Sequence, residues 1–193
     1  MGIRFAFALA AITALASPAG AAVLDFNEPT AGYQGTGSIS LSNADIVTTG
    51  VDSYAISSAE AAIFGFGSFG GFCGVTTTGG GDCSVDTTIT FADLVADLSF
   101  TAAVFDAGDS VIATIFSGAT ALATQSITAA GVIDFSGYSG ITSLFLDDQG
   151  STGGGIVFGD FTFTADVAAV PLPAGAPLLL LGLAALGLRR PTR

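Results

Sequence analysis

The chain has 193 residues, half of them hydrophobic and only 10% charged, with 27 Gly, no His, no Trp and a formal net charge of −12. Its only cations are Arg4, Arg189, Arg190 and Arg193, while all sixteen carboxylates lie between Asp25 and Asp166, so that span has no partner for an internal salt bridge. Histidine-dependent catalysis, histidine metal ligation and lysine Schiff-base chemistry are excluded, and nucleic acid is not an expected partner, because phosphate binding needs Lys or Arg.

Residues 1–22 have the order of a secretory signal peptide with an apolar helical segment. Arg4 is the positive n-region, Phe5 to Ala16 is an apolar run, Pro18 breaks it, and Ala19-Gly20-Ala21-Ala22 supplies small residues for cleavage. Cleavage after Ala21 and cleavage after Ala22 fit equally well. No Cys follows to take a lipid anchor.

One domain is expected over residues 23–167, long enough to bury a proper core. Val23–Phe26 reads as its first strand, and Ser38–Val47 and Ser53–Ser57 as further ones. Ala59–Phe66 reads as a short helix or a strand, with strand preferred. Gly65-Phe-Gly67-Ser-Phe-Gly70 matches G-x-G-x-x-G, but more Gly and then Cys73 follow where a dinucleotide site needs a helix. A glycine-rich loop is expected there instead. Its Phe64, Phe66, Phe69 and Phe72 either pack over the core or leave a sticky patch.

Cys73 and Cys83 enclose a glycine-rich spacer suited to a hairpin or Ω-loop, and both lie on the exported part of the chain, so a structural disulfide is expected. Two Cys without His make a poor zinc site, and a redox pair more often has C-x-x-C spacing.

Beyond residue 84, apolar and polar residues alternate as in half-buried strands. Val85, Thr87, Ile89 and Phe91 form one set, and Leu98, Phe100, Ala102 and Val104 the next. Val111, Ala113 and Ile115 follow, then Leu122, Thr124 and Ser126 more weakly. Ile141–Leu146 is a compact apolar run, and Val157, Gly159, Phe161 and Phe163 close the domain. Phe91–Leu98 has room for one helical turn at most. Turn signals at 106–109, 117–118, 130–131 and 150–155 separate these runs. The pattern predicts an all-β domain of the β-sandwich or jelly-roll class.

Residues 168–193 form a three-part tail. Val170, Pro171, Leu172, Pro173 and Ala174 open it, Pro177 and an apolar run from Leu178 to Leu188 follow, and arginines close it. Leu172 to Leu188 is at the short limit for a transmembrane helix. The terminal arginines are expected to stay cytoplasmic, leaving the domain outside.

This tail resembles the VPLPA variant of the PEP-CTERM family of bacterial sorting signals, with mild departure at Pro191 and Thr192. The resemblance implies recognition near Val170–Ala174 by an exosortase-type membrane protease. It also implies transient residence in the inner membrane and delivery to the cell surface or extracellular matrix, often in association with exopolysaccharide. An uncleaved C-terminal anchor is the alternative. Leu24-Asp25-Phe26-Asn27, Ile141–Leu146 and Phe158-Gly-Asp160-Phe-Thr-Phe163 resemble the recurrent ectodomain of these proteins, which implies a jelly roll of the galactose-binding or carbohydrate-module type.

A hard cation such as Ca²⁺ takes carboxylate and carbonyl oxygens, which the domain has in excess. First and last strands are often neighbours in jelly rolls, so Asp25, Glu28 and Asp160 are the candidate ligands, and the resemblance implies a structural Ca²⁺ there. Asp147-Asp148 is a second candidate. Tyr33, Tyr54 and Tyr138 are the amphipathic rings available for a glycan. No catalytic residues are expected and the chain is not read as an enzyme, because carboxylate pairs arise by chance among so many acids. The expected role is structural or adhesive, with a carbohydrate-binding module as the alternative.

Overall fold

The computed structural model describes residues 20–29, 31–34, 37–50, 52–57, 70–75, 83, 85–103, 108–150 and 155–165. All fall within one unit, Ala19–Val167. Residues 1–19 of the expected signal peptide 1–22, Ala59–Phe66, the sorting motif Val170–Ala174 and the apolar tail lie outside the described residues; Ala21 and Ala22, the last two residues of that expected peptide, fall in the first strand, Ala21–Val23, which stands in place of the expected Val23–Phe26.

The domain is all-β, and no helix occurs among the described residues. The strands in chain order are β1 (Ala21–Val23), β2 (Gly32–Tyr33), β3 (Ser38–Ser40), β4 (Ala44–Thr48), β5 (Asp52–Ile56) and β6 (Gly71–Val75). They continue with β7 (Thr87–Ala103), β8 (Val111–Ser117), β9 (Thr120–Ile127), β10 (Gly131–Phe135), β11 (Ile141–Asp148) and β12 (Val157–Ala165). Every pairing between these strands is antiparallel.

The 17-residue strand β7 organises the whole. Its first part, Thr87–Phe91, pairs with β4 on one side and β11 on the other. Its last part, Val95–Ala103, pairs with β12 and β10. The sequence pattern anticipates two strands here, 85–91 and 98–104. They are one strand, interrupted where Ala92, Asp93 and Leu94 all turn outward and the register to β11 jumps between Ile141/Val95 and Ser143/Thr90. Asp97 takes a positive φ of 52° in this irregular stretch. Its N–H donates to the Tyr138 carbonyl (3.0 Å), and its Oδ1 accepts from Gly137 N–H (2.9 Å). The loop after β10 thus holds the distortion in place, a stabilising partner for an otherwise costly conformation.

Two chains of pairing grow from β7. Beyond β11 come β8 and β9, and beyond β12 come β6, β5 and β2. β8 and β9 form a hairpin around Gly118, whose φ of 57° meets the demand of a two-residue turn. The expected strand 38–47 is a second hairpin, β3 and β4, folded at Leu41–Asn43 where Leu41 N–H bonds the Ala44 carbonyl (2.8 Å). β6 and β10 lie where no strand is expected from alternation.

One hydrophobic cluster joins both chains of pairing. Without Trp, Phe supplies its bulk. Phe161 stacks on Phe100 (5.0 Å between ring centroids) and Phe72 (6.0 Å) and tilts against Phe26 (6.1 Å). Phe100 also stacks on Phe135 (6.4 Å). Full burial of each such ring contributes about 1.5–3 kcal/mol. Phe72, from the glycine-rich stretch, is fully buried in this group; Phe64, Phe66 and Phe69 lie outside the described residues.

Cys73 on β6 is bonded to Cys83, with Cα atoms 5.1 Å apart. Cys83 bridges Gly155 in parallel. A Cβ at Gly155 would lie 2.1 Å from the Cys83 carbonyl oxygen, and its φ is +72°, so both space and backbone conformation demand glycine.

Candidate functional site

Asp25 and Asp160 are 135 positions apart and are brought together by pairing of the first and last strands. Ala21–Val23 runs antiparallel to Thr162–Thr164, and Leu24 N–H continues the contact to the Phe161 carbonyl (3.2 Å). Leu24 and Phe26 point into the core, so the intervening Asp25 points out. On β12, Gly159 and Phe161 are buried and Asp160 between them is exposed.

Asp160 sits at an irregularity of β12, with register shifts against β7 between Gly159 and Thr162. Its φ is +49°, and its N–H reaches the Gly70 carbonyl (3.4 Å). Positive φ is costly for a residue with a Cβ, though less so for Asp, and here it re-aims the carboxylate. Asp160 and Asp25 line one open depression of about 510 Å³, with Val23, Asn27, Gly70 and Thr162 at its walls and Phe161 among its lining residues.

The two acids differ in electrostatics. Asp25 Oδ1 accepts from both Asn27 N–H (2.9 Å) and Asn27 Nδ2 (2.8 Å). These bonds favour the charged form and hold the Asp25 carboxyl below the usual range. Asp160 has no such bond; partial burial pushes its carboxyl up. The pair places two carboxylates at the wall of this depression.

Glu28 is not part of this depression. Its Oε2 accepts from Ser42 N–H and its Oε1 from Ser42 Oγ, both at 2.6 Å, tying the chain after β1 to the β3–β4 turn. Among the described residues, no three His, Cys, Asp or Glu side chains come together in a metal-holding arrangement.

A second acidic group lies at the other candidate, Asp147-Asp148. Asp148 N–H donates to Asp86 Oδ1 (2.9 Å), and Gly150 N–H donates to Asp148 Oδ1 (2.7 Å). Asp109 is buried nearby, at 4% exposure. Burial first, then the charges of Asp109, Asp86 and Asp147, pushes the Asp148 carboxyl up despite the Gly150 bond. Sequence reasoning misses Asp86 and Asp109, because the starts of two other strands, β7 and β8, bring them to the end of β11. No spacing signal joins positions so far apart.

The tyrosines fall on separate elements. Tyr54 is half-buried on β5, packed with the small cluster of Ile56 and Val157. Tyr138 follows β10, 40% exposed and edge-on to Phe135 (6.4 Å). The Tyr33 side chain lies outside the described residues. Of the G-x-G-x-x-G match only Gly70 is described, and it serves as the carbonyl partner of Asp160.

No family model, no curated protein and no solved structure matches this chain.

Proposed function

We propose that this is an exported bacterial surface or extracellular-matrix protein with a structural or adhesive role. It passes through the inner membrane and is sorted by an exosortase-type protease acting near Val170, Pro171, Leu172, Pro173 and Ala174. The observation that carries this reading is the order of the tail: the VPLPA string, the short apolar run Leu178–Leu188, then Arg189, Arg190 and Arg193. Two features of the domain support it. Cys73 and Cys83 are cross-linked, which fits an oxidising compartment. The acids between Asp25 and Asp166 have no cation among them, which fits a soluble, strongly anionic module.

The finer fold in this proposal is a β-sandwich of jelly-roll type, flanked by a signal helix and a short transmembrane helix. The partition of β7 between two sets of partners supports the sandwich. The role is non-enzymatic in this reading. The intact mass of the protein recovered from its host tests the sorting. A mass spanning roughly residue 23 to the Val170–Ala174 region is expected. A mass retaining Leu178–Arg193 overturns the protease step and leaves a C-terminal anchor.

A second reading, a carbohydrate-binding module with a structural Ca²⁺, is favoured by the depression shared by Asp25 and Asp160. A cation held there needs further oxygen ligands from backbone or water, since Glu28 is engaged with Ser42. The expected result is a thermal midpoint raised by Ca²⁺ and lowered by EDTA in the wild type and unresponsive in Asp160→Asn. An unchanged midpoint in the wild type overturns the site. A polysaccharide array without hits overturns the glycan ligand.

A further inference from the structure

We infer that folding of this domain closes its own signal-cleavage site, so that the cut after Ala21 or Ala22 is made only before β12 pairs with β1. The inference rests on the export and sorting reading for the cut itself, and adds to it the order of processing and folding.

Both candidate bonds, Ala21–Ala22 and Ala22–Val23, lie inside β1 rather than in a linker ahead of the fold. Ala21 is paired with Thr164, Ala22 with Phe163 and Val23 with Thr162. The contact continues at both ends. The Gly20 carbonyl accepts from Ala165 N–H (3.4 Å), and Leu24 N–H donates to the Phe161 carbonyl (3.2 Å). On the other edge of β1, Asn43 Nδ2 donates to the Val23 carbonyl (2.8 Å). The Ala22 side chain packs against the hydrophobic cluster.

A protein that takes an extended peptide uses the peptide's backbone hydrogen bonds for affinity and its alternate side chains for specificity. In β1 those backbone groups are spent on β12, and the Ala22 side chain is turned to the core. Cleavage of a folded chain follows the population of its opened state, and the burial and hydrogen bonding of the affected backbone decide that population. β1 must therefore leave β12 before either bond can enter a peptidase cleft.

The partner of β1 makes this a matter of timing. β12 is the last strand, Val157–Ala165, and it ends five positions before Val170. The N-terminal side of a chain is made first, so β1 has no ladder partner until nearly the whole domain has followed it across the membrane. Gly20, Ala21 and Ala22 stay open to a signal peptidase over that interval. They close when β12 arrives, just ahead of the sorting motif. A cut chain still closes, because Val23 and Leu24 remain to meet Thr162 and Phe161. A chain that closes uncut keeps its N-terminal segment.

The test is cleavage of the full chain, with residues 1–22 retained, by a purified bacterial signal peptidase in detergent micelles, followed by intact mass. One arm holds the chain folded in buffer. The other holds it above its urea midpoint, and the rate on an unrelated precursor corrects for enzyme activity in each solution. The corrected rate is expected to be at least about tenfold lower in the folded arm. Asn43→Ala releases the Val23 carbonyl and is expected to speed the cut of the folded chain about two- to tenfold. Val132→Ala is expected to leave that rate unchanged, and circular dichroism confirms that both variants are folded. Equal corrected rates in the two arms overturn the inference and leave the signal peptide standing. An Asn43→Ala chain cut no faster than the wild type overturns detachment of β1 as the controlling step. Absence of a cut in either arm overturns the signal peptide itself, and this inference with it.

Discussion

Phe161→Ala removes a fully buried ring that touches three others from three other parts of the chain: Phe26 after β1, Phe72 on β6 and Phe100 on β7. Their burial leaves no water to fill the space, and rings held by three separate parts of the chain cannot all close inward. The loss therefore combines the transfer energy of the ring with an unrelaxed cavity, about 3–5 kcal/mol. A domain of this size has roughly 5–15 kcal/mol of total stability, so the change consumes a large share of it. At about 2–4 °C per kcal/mol, the thermal midpoint is expected to fall by roughly 6–20 °C. The assay is thermal unfolding of the oxidised full chain followed by circular dichroism, with Val132→Ala as the comparison. Val132 is 69% exposed, and its truncation is expected to stay within about 0.5 kcal/mol of wild type. A Phe161→Ala midpoint within 2–3 °C of the Val132→Ala value, on the order of 1 kcal/mol, would refute the idea that these rings form one interlocked core.

The acidic group at the end of β11 makes stability depend on pH. Asp148 has a folded-state carboxyl raised above its ordinary value of 3.8, mainly by burial. Its protonation is thus favoured by folding, and its contribution is present below 3.8 and lost as pH rises through the folded value. Asp160 acts in the same direction. Asp148→Asn keeps an oxygen for Gly150 N–H and removes the charge, so it is expected to stabilise the domain at pH 7. That gain is expected to shrink toward pH 4, as read by urea midpoints across the range; a gain independent of pH, or a loss at pH 7, contradicts the sign. Asp25 has the opposite dependence, since its carboxyl is lowered by Asn27 and its contribution fades as pH falls through the folded value. Reduction of Cys73–Cys83 opens a loop with a sequence separation of ten, and chain entropy predicts a loss of about 2–3 kcal/mol. Urea unfolding with and without reductant measures it; coincident curves would show that the cross-link does not constrain the unfolded chain.

Most of the strand content was legible from alternation. Val111–Ile115 lies within a strand whose burial alternates along its length, as does Gly159–Phe163, because one face meets the core and the other meets solvent; Ile141–Leu146 was legible instead as a compact apolar run. β6 was invisible for the opposite reason. All five of its residues are buried, so Gly71–Val75 has no polar face to alternate with. β10 was hidden too, since Gly131, Val132 and Asp134 are all exposed and its pattern carries little contrast. β7 looked like two strands because three successive outward residues break the period, which a bulge permits without ending the strand.

The candidate sites divide in the same way. The sequence alone determines the placement of charge, the all-β character and the cysteine pair, because these follow from residue identity and local period. It also singles out Asp25 and Asp160 through the rule that first and last strands meet. Only the tertiary structure separates Glu28 from them, since a hydrogen-bonding partner fourteen residues away turns it aside. Only the tertiary structure gathers Asp86, Asp109 and Asp148. Pairing partners decide both outcomes, and antiparallel pairing joins residues whose separation along the chain carries no local signal.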